Sequence, residues 1–105
     1  MDIVVTVPKN LLDKHIKKDY VKVDNEFVKF WSVPRRAKAL NVGDRVYFVE
    51  NGYMKYYYIF LGYVHDPICE VTGRIWPGLN LLLKCPEVTL DTPVEKNGFQ
   101  GFRYL

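Results

Sequence analysis

Cysteine, histidine, methionine and tryptophan are scarce, with two of each in 105 residues. Cys69 and Cys85 do not form a CxxC pair, and His15 and His65 are not at zinc-ligand spacing, so no zinc pattern is present and no metal is expected. One disulfide stays open as an alternative. The absence of a secretion signal favours reduced thiols and a cytoplasmic protein. Long hydrophobic runs are missing too. The longest, Tyr56 to Leu61 and Leu81 to Leu83, fall far below the roughly 20 residues of a membrane helix. There is no glycine-rich phosphate loop and no nucleophile elbow. Without repeats, low-complexity tracts or a linker, residues 1–105 read as one domain.

Aromatic and apolar residues are plentiful: 49% hydrophobic and 15% aromatic, against 26% charged. Such a composition supports a packed core rather than disorder. The formal charge of +3 is unevenly placed. From Lys9 to Lys38 nine basic residues face four acidic ones, a local net of +5, whereas the chain from Asn41 onward carries six basic and seven acidic. A basic first third attracts anions such as nucleic acid by long-range forces. The plainer alternative is a solvated, lysine-rich surface.

The local pattern is mostly β. Ile3 to Val7 is rich in β-branched residues and reads as a strand stopped by Pro8. Asn10 caps an expected short helix over Leu11 to Lys18, and Val21 to Asp24 reads as a short edge strand. Phe27 to Val33 alternates, with Phe27, Lys29 and Trp31 on one face. Pro34 to Leu40 has the composition of a second short helix. Arg45 to Glu50 and Tyr53 to Val64 read as strands joined by Asn51-Gly52, a dipeptide suited to a type I′ turn. Both faces of the second strand are substantially apolar, and Gly62 permits a bend. Thr72 to Pro77 and Thr92-Pro93 read as loops, Leu79 to Lys84 and Glu87 to Leu90 as strands split by Pro86, and Phe99 to Leu105 as a last strand. The expected core is Val4, Phe30, Val46, Phe48, Ile59, Leu61, Leu81 and Leu83.

The order of helix, Val42-Gly43-Asp44 turn, apolar strand and long returning strand ending in Gly62-Tyr63-Val64 resembles the PUA-like superfamily, closest to its ASCH and EVE domains. The stretch from Trp76 to Leu83 and the tail from Asn97 to Leu105 resemble later elements of those domains. The resemblance implies mixed β structure with short α-helices, in a small PUA-like pseudo-β-barrel of five to seven strands. It also implies a cleft for RNA or modified nucleobases. ASCH-like enzymes carry a Gly-x-Lys-x-x-Glu-x-Arg helix motif. The corresponding Lys14 to Tyr20 lacks the Gly, Glu and Arg, so the resemblance favours a binder over a catalyst.

Within that frame Trp31, Ser32 and Trp76 are the candidate nucleobase contacts, because an indole offers a flat face and a hydroxyl can read a base edge. Arg35, Arg36 and Lys38 are the candidate phosphate contacts. Each has a plainer alternative: core tryptophans, a barrel lid at Trp76, and a solvated basic face. The expected function is an RNA-binding or modified-nucleobase-binding module without cofactor, acting on RNA, single-stranded nucleic acid or a modified nucleotide. A small hydrolase using Lys17 or Lys18 with Asp24 or Glu26 is one alternative. An adaptor that presents a bare tyrosine edge is another.

Overall fold

The computed structural model describes residues 1–7, 20–23, 26–68, 73, 75–99 and 101–105. They contain seven strands: β1 (Ile3–Thr6), β2 (Tyr20–Val23), β3 (Glu26–Ser32), β4 (Arg45–Glu50), β5 (Tyr53–His65), β6 (Leu79–Glu95) and β7 (Phe102–Tyr104). They form one mixed sheet in the order β2-β3-β6-β5-β4-β1-β7. β1 runs parallel to β4, and every other pairing is antiparallel.

The β4–β5 hairpin forms as expected. Asn51 (φ 50°) and Gly52 (φ 84°) both take left-handed backbone, the requirement of a type I′ turn. β6 is longer than its prolines suggested. It runs through Pro86 and Pro93 because its pairing with β5 slips at both places, between Lys84 and Val88 and again between Thr89 and Val94. A residue without an N–H is tolerated where the ladder is already interrupted. Thr92-Pro93, expected in a loop, therefore belongs to β6.

The sheet curls strongly. Three strand steps separate β3 from β4, roughly 14 Å on a flat sheet. Yet the Trp31 and Phe48 rings meet edge to face with centroids 4.8 Å apart. The concave side holds the main core, with Ile3, Val5, Val46, Phe48, Tyr56, Tyr58, Phe60, Leu81 and Leu83 all buried. Among the described residues, the convex side carries a cluster at each end. Trp76 packs there against Val28 and Phe30, and at the other end Val4, Val49 and Met54 cluster with Phe99 and Leu90.

Two expectations about the fold class are corrected. The curled sheet does not close into a barrel: β2 and β7 are its two ends and do not pair with each other. Nor does any described residue lie in an α-helix. Pro34 to Leu40 has helical propensity, but its backbone groups bond elsewhere. The Ala37 N–H donates to the Tyr63 hydroxyl at 2.8 Å, and the Ala39 N–H to the Tyr104 hydroxyl at 3.1 Å. Ala37 and Leu40 meanwhile plug the end of the concave core. Tertiary partners override a propensity worth only tenths of a kcal/mol per residue. The helix expected over Leu11 to Lys18 lies outside the described residues.

Six of the eight expected core residues are buried, while Ile59 and Leu61 are half-buried on the convex side. With both faces of β5 apolar, alternation could not choose between them. Phe48, fully buried between Trp31, Tyr56 and Tyr58, is the sharpest test of this packing. Phe48→Ala is expected to cost about 3–5 kcal/mol, and Ile59→Ala distinctly less. Chemical denaturation of both variants measures the difference, and equal losses would contradict the assignment of faces.

Candidate functional site

The strand alternation that shapes the sheet divides the candidate residues between its two sides. Trp31 points into the concave core and is 8% exposed. Ser32, the next residue, pairs in register with Asn80 and through it with Val64 of the convex cluster. Trp76 is 7% exposed within that convex cluster. The two indoles therefore lie on opposite faces of the sheet and do not form one clamp. Ser32 and Trp76 are linked through the fully buried Asn80. The Ser32 hydroxyl donates to Asn80 Oδ1 at 3.0 Å, and Asn80 Nδ2 donates to the Trp76 and Gly78 carbonyls, each at 3.1 Å. This network pins the loop before β6 onto the sheet and satisfies a buried amide.

Arg35, Arg36 and Lys38 are exposed on the segment between β3 and β4. The Arg35 guanidinium lies over the Phe102 ring at 4.9 Å, and that of Arg36 over the Tyr63 ring at 4.7 Å. Tyr63 is fixed in turn by its hydroxyl, which accepts from the Ala37 N–H and donates to the Ala37 carbonyl at 3.3 Å. Tyr104, 41% exposed, stands on the same rim, with its hydroxyl on the Ala39 N–H. Among the described residues the one ion pair joins the Met1 amino group to Asp44, so neither arginine is held by a carboxylate there. A guanidinium stacked on a ring keeps its in-plane N–H donors free for an anion.

A second polar group lies on the concave face near the β4–β5 turn. Lys29 is only 1% exposed, with its Nζ 5.9 Å from the Tyr58 ring centroid. The Tyr56 hydroxyl donates to Glu50 Oε1 at 2.6 Å. Burial raises the Tyr56 hydroxyl well above the ordinary phenol range, and its hydrogen bond to Glu50 adds to the shift. Burial likewise raises Tyr58, reinforced by the charge of Glu87. Cys85 is pushed up to about 11, mainly by burial and only partly offset by nearby Lys29. At neutral pH this cluster therefore offers a thiol and phenols rather than an activated nucleophile. Alternation already set Lys29 on the face of Trp31. Its depth was not legible, because a strand lysine usually reaches out to water.

Among the described residues no group of three or more His, Cys, Asp or Glu could hold a metal, and no helix is long and apolar enough to cross a membrane. Lys17, Lys18 and Asp24 lie outside the described residues. β5, which carries most of the tyrosines, is flanked by β6 and β4, so it offers no bare edge to an adaptor partner.

The raised phenols and thiol set a pH dependence. Folding favours their neutral forms, so their contribution is complete below the unfolded values and is lost as pH rises beyond them. Stability is expected to hold to about pH 8 and to fall above about pH 9–10. The fall should be shallower in Tyr58→Phe, as followed by denaturation midpoints across pH. In a Cys69→Ser background, alkylation of Cys85 at pH 8 should be slow while folded and fast in denaturant. Fast labelling of the folded protein would contradict the burial of this thiol. No family model matches the chain, and neither a curated protein nor a solved structure matches it.

Proposed function

We propose that this domain binds single-stranded nucleic acid at the rim formed by the segment between β3 and β4, without catalysis and in the cytoplasm. The observation that carries the reading is the pair Arg35 and Arg36, exposed, stacked on Phe102 and Tyr63, and unpaired with any described carboxylate. Two preordered guanidiniums suit phosphate, and Lys38 beside them adds a third cation. The exposed Tyr104 ring is the adjacent surface on which a base can stack. Trp31 shares the concave core with Ala37 and Phe102, the residues beneath the rim. A single strand fits better than a duplex, since unstacked bases can reach aromatic side chains.

The test is a titration with short single-stranded RNA at several salt concentrations. The unmodified domain should bind at low salt and weaken as salt rises. Replacing Arg35 and Arg36 with Gln removes two phosphate contacts and should flatten the slope of log K against log salt by about 1.4. Tyr104→Leu should weaken binding by about 1–3 kcal/mol and leave the slope unchanged. Equal slopes for the unmodified and double-Gln proteins would remove the arginines from the interface.

A further inference from the structure

Among the described residues, the convex face carries clusters at its two ends and partly exposed side chains between them. Register places Arg103, Val4, Tyr47, Tyr57 and Val88 in one row across β7, β1, β4, β5 and β6. The neighbouring row is Arg45, Ile59 and Lys84. Paired residues in a sheet point the same way, so both rows share one face. Arg45 and Lys84 are exposed, Val88 is 43% exposed, and Tyr47, Tyr57 and Ile59 are half-buried. Flat aromatic and aliphatic surface thus lies among three cations.

Arg45 is the best-held of the three. Its guanidinium lies over the Tyr57 ring at 4.6 Å, and its Nη1 donates to the Tyr47 hydroxyl at 3.3 Å. The two tyrosine rings stand 5.3 Å apart. The nearby Asp2 carboxylate is occupied by the backbone N–H of Arg45 at 2.8 Å. Arg103 is likewise laid over a ring, that of Phe99, at 4.9 Å. Glu87, the acid of β6 nearest these rows, acts on Tyr56 and Tyr58 of the concave face. The patch is therefore cationic, with the exposed Arg45 guanidinium lying over the Tyr57 ring.

We propose that this patch is a second contact surface for single-stranded nucleic acid, with a base stacked on the Arg45 guanidinium and phosphates on Lys84 and Arg103. The assignment rests on the reading of the domain as a nucleic-acid binder and extends it to a face that the rim does not include. Charge complementarity selects a polyanion. The plane of Arg45 over Tyr57 selects one whose repeating units are flat, because bases stack on guanidinium planes as they do on aromatic rings. β7 joins the two surfaces, since Phe102 carries Arg35 on the concave side while Arg103 faces the convex side.

The experiment uses the full chain and a labelled oligouridylate long enough to cross both faces. Arg45→Lys keeps the charge and removes the plane. It should weaken binding about ten-fold and leave the salt slope unchanged. Lys84→Gln with Arg103→Gln should flatten the slope by about 1.4. Denaturation midpoints near that of the parent confirm that each variant is folded, and an ultraviolet cross-link mapped to Tyr47 or Tyr57 supports the placement independently. If the convex variants bind like the parent while the Arg35 and Arg36 variant is weakened, the convex surface is refuted and the rim stands. The opposite result refutes the rim and keeps the convex surface. A parent that does not bind the oligouridylate refutes both. An oligoglutamate that competes as well as the RNA also overturns the proposal, because stacking would then contribute nothing.

Discussion

The contact between Trp31 and Phe48 is the constraint on which the rest of this fold depends. A single sheet has two faces, and no described helix covers either of them. Apolar side chains on both faces of β5 and β6 must still leave water. The sheet resolves this by curling until β3 meets β4 across the concave side, where Trp31 sits edge to face on Phe48. Such a pair contributes about 0.5–1.5 kcal/mol beyond its buried area. Its larger effect is geometric. Once the two strands are drawn together, Tyr56, Tyr58, Phe60, Leu81 and Leu83 share one core. The segment after β3 is then placed to cap that core with Ala37 and Leu40.

Curvature of this kind needs interruptions in the ladder. β5 and β6 slip register three times, around Met54/Tyr56, Tyr57/Ile59 and Phe60/Gly62, and β4 slips against β5 between Phe48 and Val49. Each extra residue bends its strand and increases the local twist. Ordinary alternation in β4 puts Phe48 in the concave core and Val49 in the convex cluster, while the slip opposite them makes Lys55 the extra residue of β5, so that Met54 serves the convex cluster and Tyr56 the concave core. The same slips restrain the long β6 strand. Beyond Lys84 it has no described neighbour on the β3 side, yet Pro86 and Pro93 lie in its slipped stretches, and Glu87, Asp91 and Glu95 carry like charge along it. Prolines, bulges and charges of one sign are what keep an exposed strand edge from pairing with another chain.

What could be read from the sequence follows from this physics. The Asn51-Gly52 turn was legible because type I′ geometry demands left-handed backbone at two successive residues, and few dipeptides supply it. Strands β1, β3, β4 and β5 were legible from β-branched and aromatic alternation. The facing of Ile59 and Leu61 was not, because β5 is apolar on both sides and a bulge resets its parity. The stretch from Pro34 to Leu40 misled for a different reason. Its residues suit a helix when considered alone, but Tyr63 and Tyr104, distant in sequence, supply the hydroxyls that take its N–H groups. The separation of Trp31 from Trp76 was equally hidden, since only the pairing of β3 with β6 reveals that the loop before β6 folds over the far side of the sheet.

Charge along a chain is not charge in space, and the basic first third shows the difference. Lys29 belongs to that run, yet it is buried beside Tyr58 and contributes nothing to a surface patch. Arg45 and Arg103 lie outside the run, yet both are exposed and lie over the half-buried rings of Tyr57 and Phe99. All four described arginines, at 35, 36, 45 and 103, rest on an aromatic ring. None is joined to a described carboxylate. An arginine tied to a carboxylate has spent its donors. One laid on a ring has lost rotamer freedom but keeps its donors, so an incoming anion meets a group that is already ordered. The aromatic richness of this chain therefore does two jobs at once: it fills the concave core, and where the rings reach the surface it holds cations in place.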